Sequence, residues 1–299
     1  MKKILSIIVL GTLTIGAFAQ SLPSLLVSSD ASALGAGGVS LLGSDAMAVE
    51  GYAASSAFMD GTVAADFSYG SWQPKAAADK IIGLGATYRL LEKLSVSLGY
   101  KNFIQPAYEV TGNTGTVSQV TPTFTPKESS LAFGVAYQII PGLSAGLTVK
   151  STSSVLSKDA KASVFGIDLS AMYVKDKLQA AFALCNLGGK VNYGGSDYPQ
   201  PALAKAAASY AVIDGLKVAG EAAYLFQGAF NLGLGAEYTY ANLVSARAGY
   251  HLGNKSIGVP SYASVGLGAS FAGASLNFAY LLASDTLAGS LLLGVGYAF

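Results

Sequence analysis

The sequence predicts an all-β fold: a 14-stranded antiparallel transmembrane β-barrel with a small N-terminal hatch. Three observations predict it. The chain is 52% apolar and only 12% charged, with a mean hydropathy of +0.46. Beyond residue 19, however, no run of about 18 unbroken apolar residues exists, so no segment there is built to span a bilayer as a helix. The apolar residues instead alternate with Gly, Ala and Ser at period two, the period of a strand whose faces meet different surroundings.

The first element is a leader. Residues 1–19 carry Lys2 and Lys3, then an apolar core from Ile4 to Ile15, then Ala17-Phe18-Ala19. Small residues at Ala17 and Ala19 fit signal-peptidase cleavage, which would leave Gln20 first. The whole chain has a net charge of +1, and loss of the two lysines would leave −1. No basic patch favours nucleic acid. Cys185 and His251 are each the only residue of their type, so neither a disulfide framework nor a Cys/His metal site is expected, and no cofactor motif is present.

Residues 20–60 form the hatch. Small residues dominate, and the period is not two. The expectation is a compact plug with short helices on the periplasmic side of the barrel. A helix near Asp45-Ala46-Met47-Ala48 would take Ser44 or Asp45 as its N-cap.

Residues 61–299 form the barrel. Its last strand reads Leu291, Leu293, Val295, Tyr297 and Phe299 on one face, against Ser290, Leu292, Gly294, Gly296 and Ala298 on the other. The same pattern gives strands over 61–72, 79–90, 93–105, 128–140, 142–154, 162–174, 177–187, 201–212, 215–226, 229–240, 242–251, 261–271, 274–283 and 287–299. Alternate connections are tight, as at Leu91-Glu92, Lys175-Asp176 and Asp214-Gly215. The others are mostly longer, above all 106–127, for which a small external hairpin or an inward fold is open. Outer-membrane barrels have short periplasmic turns and longer external loops. This places the protein in the outer membrane of a Gram-negative bacterium, with lipid as its first partner. Phe299, Tyr297, Val295 and Leu293 read as a C-terminal barrel-assembly signal.

The alternation turns ten charged residues inward: Asp66, Arg89, Lys101, Lys150, Asp168, Lys205, Lys217, Glu221, Glu237 and Arg247. Mixed signs in a narrow lumen favour pairing with one another and with the hatch. Trp72, at the external end of the first strand, reads as a girdle or rim residue. His251 lies near Ser261 and Ser264, but no Gly-x-Ser-x-Gly elbow presents a nucleophile, so no enzyme is expected.

The hatch also carries a resemblance. Asp30-Ala31-Ser32-Ala33-Leu34-Gly35-Ala36-Gly37-Gly38 resembles the opening motif of the PorV/PorQ family, FadL-like outer-membrane proteins tied to type IX secretion. Asp45-Ala46-Met47-Ala48, Phe58, Asn186-Leu187-Gly188, Pro199-Gln200-Pro201, Gly233-Leu234-Gly235-Ala236-Glu237-Tyr238, Arg247-Ala248-Gly249-Tyr250 and Gly266-Leu267-Gly268 fit the same frame. Where family members often carry Asn-Pro-Ala, this chain has Tyr52-Ala53-Ala54. The resemblance implies a barrel that binds and shuttles secreted cargo, with cargo C-terminal domains and type IX translocon components as partners. FadL relatives imply the alternative, transport of a hydrophobic small molecule.

Overall fold

The computed structural model describes residues 21–44, 46–109, 123–254 and 259–299. The leader, with Ala17, Ala19 and Gln20, lies outside the described residues, as does Asp45. The barrel strands are β1 (Val63–Trp72), β2 (Asp79–Leu91), β3 (Leu94–Ile104), β4 (Lys127–Ile140), β5 (Leu143–Val155), β6 (Lys161–Lys175) and β7 (Leu178–Gly188). They continue as β8 (Leu203–Ile213), β9 (Leu216–Leu225), β10 (Ala229–Tyr240), β11 (Val244–Leu252), β12 (Tyr262–Phe271), β13 (Ala274–Leu282) and β14 (Leu291–Ala298).

These 14 strands make one closed antiparallel barrel in which each pairs with its sequence neighbours and β14 pairs with β1. Closure leaves no exposed sheet edge, which is what a bilayer demands of a spanning sheet. The seam ends on backbone bonds: the Phe299 carbonyl accepts from the N–H groups of Thr62 and Val63 at 2.6 and 2.9 Å.

The two faces follow the alternation. Phe67, Leu84, Leu98, Phe133, Leu147, Leu169, Phe182, Leu234 and Leu267 are exposed on the outside. Outward tyrosines ring the short-turn end: Tyr88, Tyr137, Tyr173, Tyr210, Tyr238 and Tyr297. A second aromatic ring of Tyr69, Phe165, Tyr224, Phe230 and Tyr250 marks the long-loop end. An apolar belt between two aromatic girdles is the surface of a barrel embedded in lipid.

Beyond the wall, Tyr108–Glu109 pairs with Thr123–Phe124 in the loop after β3, and residues 110–122 lie outside the described ones. Lys190–Asn192 pairs with Asp197–Pro199 in the loop after β7. The last strand starts at Leu291 rather than 287. The preceding residues form a turn in which Ser284 Oγ accepts the Leu287 N–H at 3.2 Å and Gly289 adopts a φ of +90°.

The N-terminal segment does not sit only at the periplasmic side. It runs down most of the lumen. Ser21 Oγ donates to the Pro199 carbonyl in the long-loop region at 2.9 Å, while Arg89, near the short-turn end, donates to the Met59 carbonyl. Between them lie one short α-helix, Ala31–Gly35, and 3-10 turns at Pro23–Leu26, Ser40–Leu42, Ala48–Glu50 and Ala53–Phe58. Ser44 Oγ accepts the Met47 N–H at 3.4 Å, but the chain there makes a 3-10 turn rather than an α-helix. The α-helix belongs to the Asp30 motif instead. Asp30 is its N-cap, accepting from Ser32 and Ala33, and its other oxygen takes the Ser44 N–H at 2.7 Å.

Candidate functional site

The inner wall is shaped by what it holds. A Cβ on Gly85 would strike the Ala46 carbonyl, and one on Gly146 would strike the Ala54 backbone. Inward glycines therefore admit the hatch backbone directly against the sheet, where any side chain would push it away. Hydroxyls satisfy that backbone in turn. Ser264 Oγ accepts from Gly37 and donates to the Gly35 carbonyl, at 2.9 and 3.0 Å. Ser170 Oγ accepts from Ala54, whose carbonyl takes a hydrogen bond from Ser144. The lumen thus meets the demand that buried peptide groups find partners.

The charges do the same work. Lys101 donates to the Val27 carbonyl and pairs with Glu50 of the hatch at 3.4 Å. Lys205 pairs with Glu221 at 2.8 Å and donates to Ser40 Oγ, while Glu221 accepts the Ser40 N–H. Lys150 pairs with Asp168 at 2.7 Å, and Arg247 with Glu237. Asp66 accepts from Ser44 Oγ at 2.7 Å. Lys217 faces Glu237 across the β9–β10 ladder. Among the described residues, Lys101, Lys150, Asp168, Lys205, Glu221, Glu237 and Arg247 are held in ion pairs, and Asp66 and Arg89 bond to the hatch.

Asn186 marks an interruption in the wall. The register slips between Ile167 and Leu169, and Asn186 takes a left-handed φ of 58°. Its N–H goes to Asp168 Oδ1 at 2.7 Å, and its side chain bridges Lys150 and the Pro201 carbonyl. Gln200 ties the loop down by donating to the carbonyls of Phe165 and Gly189. The Asn-Leu-Gly and Pro-Gln-Pro motifs are thus two halves of one clasp.

A cavity of about 670 Å³ runs beside the hatch. Its lining extends from Trp72, Asp79 and Gln105 at the long-loop end to Asp60, Gln179 and Lys217 toward the short-turn end. The long-loop part is lined by Val27, Leu34, Trp72, Phe103, Tyr262 and Leu287 together with the polar Gln73, Asp79, Lys101, Gln105 and His251. Trp72 is therefore no girdle residue: it is buried, packed with Leu34, Ile81 and Phe103. The parity of β1 puts it on the same face as Asp66. At mid-barrel the Lys205 ammonium lies 4.8 Å from the ring centre of Tyr52, the residue standing where Asn-Pro-Ala was expected to begin.

Three further acids lie inside the barrel. Glu50 sits in the hatch, where no period exists to orient it. Asp79 opens its strand and Glu128 is second in its own, and parity with Ile81 and with Ser130 points both inward. No serine serves His251 as a nucleophile. Ser264 is committed to the hatch, Ser261 Oγ accepts from Gly253, and His251 Nδ1 lies 3.3 Å from the Gly37 carbonyl.

No protein-family model and no curated protein matches the sequence. Solved structures do match the fold. The toluene transporter TbuX of Ralstonia pickettii aligns with a TM-score of 0.63 at 13% identity, over 90% of this chain and 98% of its own. The CymD monoaromatic hydrocarbon channel gives 0.63 at 14% identity, over 94% and 99%. A Pseudomonas aeruginosa FadL homologue gives 0.55 at 14% identity, over 91% and 99%. The chain has the fold of the FadL-like outer-membrane barrels. That fold and the girdled apolar belt place it in the outer membrane of a Gram-negative bacterium.

Proposed function

We propose that this barrel carries small hydrophobic molecules across the outer membrane. One observation carries the reading: a chamber at the long-loop end, with Trp72, Phe103, Leu34, Tyr262 and Leu287 in its wall and a few polar groups such as Asp79 and Gln105 among them, leads into a cavity beside the hatch. Ligand sites are commonly concave and mostly apolar, with a few polar groups and volumes of about 300–1,000 Å³. The hatch's hold on the wall combines hydrogen bonds with apolar clusters that join Leu34, Val39, Leu41, Leu42 and Tyr52 to wall residues such as Ile81, Phe103, Met172, Leu203 and Leu225.

A cargo-shuttling role of PorV/PorQ type rests on different support, the order of the sequence motifs. Those motifs have local tasks: Asp30 caps the hatch helix, Gly233, Gly235 and Gly249 seat Ala36 and Gly37, and Asn186 with Gln200 closes the wall. Such tasks serve any barrel with a hatch, so the motifs do not separate secretion from transport. The chamber tips the balance toward transport.

Reconstituted liposomes test the reading. Toluene uptake above that of empty liposomes is expected, and Phe103→Lys should reduce it. Uptake no faster than through lipid alone, together with recovery of a secretion component on purification from outer membranes, would reverse the preference.

A further inference from the structure

One acid in the chamber has an unpartnered oxygen. Asp79 opens β2, is 4% exposed, and its Oδ1 has no hydrogen-bond partner among the described residues. It stands on the inner face with Ile81, while Lys80 between them points outward and is exposed. The register fixes its neighbours. Trp72 lies directly opposite on β1. On the other flank Lys80 pairs with Ile104 and Ile81 with Phe103, so Gln105 follows beside Asp79. Trp72, Asp79, Phe103 and Gln105 all line the cavity.

Two ionised groups nearby are committed elsewhere. Lys101 is held by Val27 and Glu50, and Glu128 takes the Ser24 N–H. Lys75, in the loop before β2, is exposed. A buried carboxyl oxygen without a donor is costly, and a cation left unpaired among aromatic rings gains from their faces. A ligand that brings an N–H on an apolar body answers both needs. A carboxylate ligand would be repelled by Asp79, and Lys101, which also lines the cavity, is already held by Val27 and Glu50.

We propose that the long-loop chamber is a binding site for small aromatic amines and related cationic amphiphiles, whose apolar body lies against Trp72 and Phe103 and whose N–H donates to Asp79. This specifies a ligand class for the transport reading and rests on it. Selection acts through a single buried acceptor, as in sites that reject analogues lacking the matching donor.

Trp72 is the chain's one tryptophan and reports on the chamber directly. The purified full chain in detergent is titrated with benzylamine, toluene and benzoate while Trp72 fluorescence is followed. Benzylamine should bind roughly tenfold to a hundredfold more tightly than toluene, the worth of a hydrogen bond to a charged group, with benzoate weakest. Asp79→Asn should bring benzylamine close to toluene and leave toluene unchanged. Equal affinities in the native chain, tightest binding of benzoate, or an unaltered benzylamine preference in Asp79→Asn would overturn the proposal. The comparison in the native chain needs no variant, so a misfolded Asp79→Asn leaves the test intact. Toluene quenching and uptake without an amine preference would sink this site and leave the transport reading standing. No response to any probe, with no liposome uptake, would remove both.

Discussion

Gly37 of the hatch lies backbone to backbone against Gly249 of β11: a Cβ on Gly249 would overlap the Gly37 amide nitrogen. Gly37 also holds a left-handed φ of +75°, so neither partner tolerates an ordinary side chain. The hatch is seated on missing atoms.

Filling that seat should loosen the plug. Gly249→Val is expected to destabilise the hatch by about 1–3 kcal/mol or more, as overpacking does. Limited proteolysis should then cut within residues 21–60 while the barrel stays folded by heat-modifiable mobility. Gly195→Ala is the control, because nothing lies within 4 Å of a Cβ there. Equal protease resistance in the two variants would contradict this account.

Asp30 ties the helix start to Ser44 through its two carboxylate oxygens. Asp30→Ala should cost about 0.5–2 kcal/mol for the lost N-cap, and the Ser44 amide loses its partner as well. Asp30→Asn keeps one acceptor and should restore part of the loss. Hydrogen exchange at Ser32 and Ser44 separates the cases: both amides should exchange faster in the alanine variant, but mainly Ser44 in the asparagine variant.

Lys150→Met leaves Asp168 charged and buried without its cation. Breaking a buried pair in this way costs about 3–5 kcal/mol. Adding Asp168→Asn should recover much of it, since the side-chain oxygen still accepts the Asn186 N–H. Thermal unfolding in detergent measures both. A double variant no more stable than Lys150→Met would show that the charge itself is not the source of the cost.

Phe299 joins two tasks that one deletion would confuse. Its backbone closes the β1–β14 seam, while its ring is 64% exposed and packs 5.6 Å from that of Tyr297. Phe299→Ala removes only the ring. If Phe299, Tyr297, Val295 and Leu293 form an assembly signal, Phe299→Ala should lower the amount of inserted barrel in cells without shifting the unfolding temperature of what is inserted. Normal insertion of Phe299→Ala with impaired insertion of the Phe299 deletion would assign the effect to the seam instead.

Much of this was legible in the sequence, and for a local reason. Lipid outside and a crowded lumen inside impose a two-residue period, so β1 to β14 and the alternation of their faces are legible strand by strand. The same parity placed Trp72, Asp79 and Glu128 inside. For Trp72 the aromatic preference for membrane interfaces and the alternation of β1 point to opposite faces, and the alternation prevails.

The tertiary structure alone decided what the lumen contains. Residues 21–60 have no period, and their path follows from contacts far apart in sequence: Gly37 with Gly249, Ser24 with Glu128, Ser21 with Pro199. The inward glycines were visible as small residues, yet only the threaded hatch shows that their smallness is a seat. Which charges pair, and which acid is left over at Asp79, depends on the same threading. Alternation is set by each strand's surroundings one residue at a time, whereas the plug and the chamber exist only once the whole barrel has closed around them.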